Sequence, residues 1–114
     1  MASQNDDIPV TASSGNVFAD LGVAEPDEAL AKAQLASHIR QAIRRRRLTQ
    51  AEAAALTGLD QPKVSALVNG RLAGFSSDRL MHCLTALGQD VEITVRTRPR
   101  GAARGRIRVV ERAA

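Results

Sequence analysis

The stretch Thr49–Arg71, TQAEAAALTGLDQPKVSALVNGR, decides the fold of this chain. We interpret it as two short helices joined at Gly58, because glycine readily adopts the positive φ that ends a helix. Ala54 is small where the second helix must cross the first, while Val64 and Leu67 lie three residues apart and hold the second helix on the core. This layout is typical of a helix-turn-helix, whose second helix enters the major groove of DNA.

The same stretch contains the signals that start and stop its two helices. Thr49 and Glu52 have the spacing of a capping box, in which each side chain accepts a hydrogen bond from the other residue's backbone. Asp60 is the expected N-cap of the second helix, with Pro62 in the first turn, where a missing N–H costs little. Residues 69–70, Asn-Gly, end that helix.

A longer amphipathic helix is predicted before the motif, beginning near Pro26 in an acidic first turn. Its apolar stripe has helical spacing. The stripe consists of Leu35, Ile39, Ala42 and Ile43. The helix ends in Arg44–Arg47, where cations favour the negative end of the helix dipole. This arginine run is either a solvated helix end or a helix end that also contacts phosphate.

Beyond the motif the chain predicts one more helix and then an extended segment. Ser76 is a plausible N-cap for a helix with Leu80, Leu84 and Leu87 on one side, closed by Gly88. Residues 90–97 then alternate between apolar and polar side chains, which predicts a strand. The apolar members are Val91, Ile93 and Val95.

A strand cannot stand alone, so residues 90–97 need a partner. The partner is either a second candidate strand, Ile107–Val110, in a hairpin, or the same strand in a second subunit. Because an exposed strand would otherwise be an open edge, we expect Val91, Ile93 and Val95 to form a dimer seam.

The expected fold is mainly α, a five-helix-type helix-turn-helix domain with a C-terminal β-strand or hairpin. We expect residues 1–25 to form a flexible acidic N-terminal arm, residues 26–89 the helix-turn-helix domain, and residues 90–114 the C-terminal strand or strands and an Arg-rich tail. With 114 residues, the chain is long enough for one domain with a modest core.

Charge and composition point to a polyanion as partner. The chain has a net charge of +4 and an isoelectric point of about 10.5. The charge is uneven, because residues 1–28 contain six acids and no Lys or Arg, whereas residues 96–112 contain seven Arg and one Glu. A single cysteine excludes an internal disulfide, and no apolar run approaches the ~18–20 residues that span a bilayer. We therefore expect a cytoplasmic protein without a membrane partner.

Helical geometry predicts which side chains of the second helix face DNA. At about 100° per residue, the side opposite the core carries small or neutral groups, flanked by Gln61 and Lys63. The groups on that side are Pro62, Ser65, Ala66 and Asn69. Gln61 can pair bidentately with adenine, and Ala66 or Pro62 can pack on a thymine methyl group.

Other side chains of the motif suit phosphate better than bases. Lys63 and Arg71 are expected to bind phosphate, as is Gln50 at the start of the first helix. Further phosphate contacts are assigned to the helix end before the motif. These residues are Arg46, Arg47 and Thr49.

Residues 48–71 resemble the XRE family, the Cro and phage-repressor type of helix-turn-helix. Further stretches resemble a bacterial subgroup whose members are commonly HigA-type antitoxins, encoded beside a small RelE-like ribonuclease toxin. These stretches are residues 16–22 (NVFADLG), 32–35 (KAQL), 74–80 (GFSSDRL) and 87–93 (LGQDVEI). Gln50, Gln61 and Asn69 match DNA-contacting positions of the family. Asp60 and Pro62 depart from its pattern, so its base preference does not carry over.

The resemblance implies a homodimer that binds a palindromic operator in double-stranded DNA and represses its own operon. Half-sites about 34–36 Å apart are expected for such a dimer. The resemblance also implies a RelE/HigB-like toxin as partner. The alternative is a stand-alone XRE-type repressor without a toxin.

Two segments outside the motif are open to two interpretations each. The apolar cluster Val17, Phe18 and Leu21 lies in the acidic arm, where it either binds a basic toxin or packs back on the first helix. The arginines of residues 98–106 form either a minor-groove arm, or a solvated tail or the flanks of the second strand.

Other functional classes fit the sequence less well. His82 and Cys83 are adjacent on a predicted helix, so they point about 100° apart and cannot act as a nucleophile–base pair. We expect His82 at the surface and Cys83 in the core. Two His and one Cys show no ligand spacing, so no metal and no cofactor are expected. The lack of stacking aromatics disfavours RNA binding.

Overall fold

The structure is a computed structural model that describes residues 26–101 and 104–112, and these residues form four helices. Their bounds are α1 Pro26–Arg45, α2 Gln50–Thr57, α3 Gln61–Val68 and α4 Ser77–Ala86. The mainly helical fold is confirmed, but a fifth helix is not found in this part of the chain. None of the described helices is long and apolar enough to cross a bilayer.

The described chain divides into two units. One comprises residues 32–92 and contains most of α1 together with α2, α3 and α4. The other comprises residues 26–31 with residues 93–101 and 104–112. The helix-turn-helix therefore lies within a single unit.

Helix α1 buries most of its predicted apolar stripe. It begins at Pro26 with two acids in its first turn and ends with two arginines in its last turn, the arrangement that the helix dipole favours. Leu35, Ile39 and Ala42 are buried, and Ile43 is half-buried at the edge of the stripe. The stripe thus forms the contribution of α1 to the core of its unit.

The predicted caps of α2 and α3 are confirmed. The Thr49 hydroxyl accepts the Glu52 N–H at 3.0 Å, and the Glu52 carboxylate accepts the Thr49 N–H at 2.8 Å, which completes the capping box. Gly58 ends α2 with φ 77° and donates to the Ala54 carbonyl at 2.9 Å. The Asp60 carboxylate accepts the Lys63 N–H at 2.9 Å, so α3 begins where predicted.

Helix α2 packs against both α3 and α4. Its buried residue is Ala53 at 1% exposure, while Ala54, which was expected at the crossing, is half-buried. Ser76 caps α4 by accepting the Arg79 N–H at 3.1 Å. The side of α4 that faces the core is fully apolar, and so is the residue directly after the helix. These apolar residues are Leu80, Cys83, Leu84 and Leu87.

The predicted strands are not found in the described part of the chain. Residues 89–101 and 104–112, which include both candidate strands, contain no strand or bridge. Ile93 and Val95 are 75% and 90% exposed, so the apolar face of the first candidate covers nothing within the described residues. Alternation states which side chains would share a face, but a strand also needs a ladder of backbone hydrogen bonds, which alternation cannot supply.

Substituting Gly58 tests the turn between α2 and α3. Gly58→Ala is expected to lower the free energy of unfolding by about 1 kcal/mol, because φ 77° strains a residue with a Cβ. Gly74→Ala is the matched control, since neither position has an atom within 4 Å of an added Cβ and Gly74 has no positive φ. Urea unfolding of both variants measures the difference in their free energies of unfolding. Equal stabilities would contradict the left-handed conformation assigned to Gly58.

Candidate nucleic-acid interface

Helix α3 has one side in the core and one side available to a ligand. Val64 and Leu67 are each 2% exposed, which fixes the rotation of the helix. We call the other side the recognition face. It consists of Gln61, Pro62, Ser65, Ala66 and Asn69. All five are exposed or half-buried, so the side predicted to face DNA is accessible in this unit.

The first turn of α3 presents Gln61 and Pro62 to solvent. Gln61 is the first helical residue and Pro62 the second, directly after the Asp60 cap. Proline fits there because the first turn has no intrahelical partner for its N–H group. A carboxamide and an apolar ring therefore lie side by side on a helix start whose backbone is held by the cap.

The C-terminal part of the recognition face is held by its own hydrogen bonds. The Asn69 side-chain amide donates to the Ser65 carbonyl at 2.8 Å and lies 3.4 Å from the Ser65 hydroxyl. These bonds join the two polar side chains that were predicted to face DNA together with Gln61. Sequence reasoning did not find this contact, because it depends on the rotamer of Asn69 as well as on its position.

Lys63 lies beside the recognition face, over an aromatic ring. Its ammonium is 5.9 Å from the centroid of the Phe75 ring, which is a cation–π contact. Both residues line a pocket of about 340 Å³ together with Arg79, so two cations lie beside the loop that leads into α4. Arg79 was not among the predicted site residues, and only its charge could have indicated it.

The other predicted phosphate contacts are exposed at helix ends. Gln50 is the first residue of α2, and Thr49 is its cap. Arg46 and Arg47 lie in the turn between α1 and α2. Arg71 follows α3 and donates its backbone N–H to the Ala66 carbonyl at 2.8 Å. The structure thus leaves polar groups accessible before α2 and after α3, on either end of the helix-turn-helix.

The structure describes only some of the other predicted contact residues. Val91 is half-buried, whereas Ile93 and Val95 are mostly exposed. The apolar cluster Val17, Phe18 and Leu21 falls outside the described residues. In the Arg-rich tail Arg98, Arg106 and Arg108 are half-buried, so these three side chains are not fully solvated. None of the described seam and tail residues is among the five residues of the recognition face.

His82 and Cys83 lie where the sequence placed them. His82 is exposed and 3.5 Å from the Asp78 carboxylate one turn earlier. Cys83 is 1% exposed, and burial raises the pKa of its thiol, with Arg79 acting in the opposite direction. The thiol is therefore a neutral core group at ordinary pH. Among the described residues, no group of His, Cys, Asp or Glu could hold a metal ion.

Comparisons with known proteins agree with this architecture. Residues 17–96 match the model of a family described as a helix-turn-helix domain. The fold matches a solved structure named as an XRE family transcriptional regulator, with a TM-score of 0.70 and 53% sequence identity. The match covers 75% of this chain and 96% of that one. A comparison with curated proteins found no match. A family match over most of the chain and an identity of 53% to that structure place the chain in the XRE family of helix-turn-helix proteins.

Proposed function

We propose that this protein is a sequence-specific DNA-binding transcriptional regulator that inserts α3 into the major groove. The observation that carries the proposal is the two-sided character of α3. Val64 and Leu67 fix one side in the core, while the recognition face is accessible and bears no acidic side chain. An anionic duplex can approach such a face without charge repulsion.

Gln61 is the residue of the recognition face best suited to identify a base. Its carboxamide is exposed in the first turn of α3, the part of a recognition helix that contacts base edges. Pro62 and Ala66 suit the methyl group of thymine. Asn69 contributes less, because its amide already donates to the Ser65 carbonyl. We therefore expect a half-site in which an adenine is read through Gln61.

Phosphate contacts supply much of the affinity in this proposal, since the recognition face has few hydrogen-bonding groups. The contributors lie in the first turns of α2 and α3 or next to these helices in the chain, and all are exposed. They are Arg46, Arg47, Thr49, Gln50, Lys63 and Arg71. Lys63 reaches a phosphate most readily if its ammonium leaves the Phe75 ring, which is a contact of only about 0.5–1 kcal/mol at exposed sites.

We also propose that the protein binds DNA as a homodimer. One recognition helix contacts too few base pairs for a unique site, so two half-sites are needed. The exposed apolar side chains of Ile93 and Val95 support a seam with a second copy, because burying them would stabilise the dimer. Val91 is the half-buried member of the same seam.

Selection from a random duplex library tests the DNA-binding proposal. The full-length protein is expected to enrich an inverted repeat whose half-sites are about 10–10.5 base pairs apart, centre to centre. Binding that depends on salt but enriches no sequence would contradict sequence-specific recognition.

A second candidate function, neutralisation of a basic ribonuclease toxin, is favoured by the acidic arm. Residues 1–28 contain six acids and no Lys or Arg, the wrong charge for DNA but suited to a cationic protein. Val17, Phe18 and Leu21 would supply its apolar contacts. The stand-alone repressor without a toxin is the competing form of the same DNA-binding proposal.

Deleting the arm tests the toxin proposal. If a small basic protein is encoded beside this gene, removing residues 1–24 is expected to weaken its binding by about tenfold or more. Removing residues 1–15 keeps the apolar cluster and is the matched control, and retained DNA binding shows that both proteins are folded. Unchanged affinity after the longer deletion, or a lack of any such complex, would favour the stand-alone repressor.

A further inference from the structure

Three of the four described helices end in the same closing turn. In each, two successive backbone N–H groups donate to carbonyls near the end of the helix, the pattern of a Schellman motif. The bonds run from Arg47 to Arg44 and Leu48 to Ile43 after α1, from Gly70 to Leu67 and Arg71 to Ala66 after α3, and from Gly88 to Thr85 and Gln89 to Leu84 after α4. All six are 2.8–3.1 Å long.

One residue of each turn must adopt a left-handed conformation, and the three turns fill this position differently. After α3 it is Gly70 with φ 79°, and after α4 it is Gly88 with φ 88°. After α1 it is Arg47 with φ 55°, the only residue other than glycine with positive φ in the described chain. Any side chain with a Cβ is strained there, so glycine would make this helix end more stable.

The contacts of Arg47 with the described residues do not explain why arginine occupies this position. Its backbone N–H bond to the Arg44 carbonyl would be equally available to glycine. Its side chain is exposed, and among residues 26–101 and 104–112 it makes no ion pair or hydrogen bond. The strain at Arg47 is therefore offset by nothing that the described part of the chain supplies.

We propose that Arg47 is kept in this strained position because its guanidinium binds a phosphate of the DNA backbone, so that the end of α1 is less stable than it could be. The inference rests on the proposed function and deepens it, because it links the phosphate contact of Arg47 to a cost in the stability of the end of α1. Arg47 lies two residues before Thr49, the cap of α2. It is also the last of four consecutive exposed arginines, which together form a cationic patch at the start of the helix-turn-helix.

Three variants separate the strain from the charge. Arg47→Gly removes both, Arg47→Lys keeps the charge and the strain, and Arg45→Ala removes a neighbouring charge of the same run without touching the left-handed position. Each full-length protein is measured in two ways. Thermal unfolding gives the melting temperature, and titration with a random-sequence duplex of about 30 base pairs at several salt concentrations gives the affinity and its salt dependence.

Arg47→Gly is expected to raise the melting temperature by about 2–5 °C and to weaken duplex binding about fivefold to tenfold near 0.1 M salt, with a salt slope lower by about 0.9. Arg47→Lys should keep the wild-type melting temperature and salt slope, and Arg45→Ala should lose less affinity than Arg47→Gly. A stabilised Arg47→Gly that binds like the wild type, or losses of equal size at both positions, would overturn the inference while leaving the proposed function intact. A wild-type protein without salt-dependent duplex binding would overturn both.

Discussion

Leu67→Ala is expected to lower the free energy of unfolding by about 2–5 kcal/mol, the range for removing a leucine side chain from a packed core. Leu67 is 2% exposed and, with Val64, attaches α3 to the rest of its unit. Because a small domain has only about 5–15 kcal/mol of stability in total, this change removes a large part of it. DNA binding should fall in parallel with the folded fraction.

Leu56→Ala is the control for that experiment, because it makes the same chemical change on the neighbouring helix. Leu56 is 43% exposed, so its truncation should cost well under half as much as that of Leu67. Urea unfolding, followed through the helix signal in circular dichroism at about 222 nm, compares the two proteins. Equal destabilisation, or a loss below about 1 kcal/mol for Leu67→Ala, would contradict the burial assigned to α3.

Gln61→Ala is expected to weaken binding to the selected operator by about 1–3 kcal/mol per half-site, which corresponds to roughly fivefold to 150-fold. The reason is that Gln61 is the exposed carboxamide in the first turn of α3, whereas the Asn69 amide already donates to the Ser65 carbonyl within its own helix. In a symmetric dimer the loss occurs twice. The stability of the protein should change little, because the Gln61 side chain is exposed.

Gln89→Ala controls for the loss of a carboxamide elsewhere on the chain. Gln89 follows α4, and its backbone N–H donates a hydrogen bond to the Leu84 carbonyl. Fluorescence anisotropy with a labelled operator measures both affinities. Similar affinities for the two variants would show that Gln61 does not contribute a specific contact.

The local parts of the fold could be predicted from the sequence, because they depend on residues three to five positions apart. The capping box of Thr49 and Glu52 and the caps of α3 and α4 follow from side-chain oxygens placed before apolar helices. The glycine at position 58 marked the end of α2 for the same kind of reason. The rotation of α3 followed from Val64 and Leu67, whose spacing puts them on one side of a helix.

The C-terminal segment could not be predicted in the same way. Alternation at Val91, Ile93 and Val95 describes an extended chain with an apolar face but carries no information about a hydrogen-bonded partner. The structure describes this segment without a strand and with Ile93 and Val95 largely exposed. Whether a second subunit covers Ile93 and Val95 depends on how two chains associate. The spacing of apolar residues along one chain does not encode that association.

Three features of the candidate site could not be predicted from sequence patterns. The bond from Asn69 to the Ser65 carbonyl and the position of the Lys63 ammonium over Phe75 depend on side-chain rotamers. The left-handed backbone of Arg47 was hidden because a run of arginines contains no glycine to mark a helix end. The Asn69 bond leaves Gln61 as the carboxamide better suited to contact a base. The left-handed backbone of Arg47 supports the proposal that Arg47 contacts a phosphate.

The most direct test of base reading by α3 is the affinity of the wild type and of Gln61→Ala for operators in which each base pair is replaced in turn. The wild type should lose about 1–3 kcal/mol at an adenine of each half-site. Gln61→Ala should lose its preference at that position and keep it elsewhere. An unchanged profile, or a uniform loss of affinity at all positions, would contradict the claim that α3 reads DNA through its recognition face.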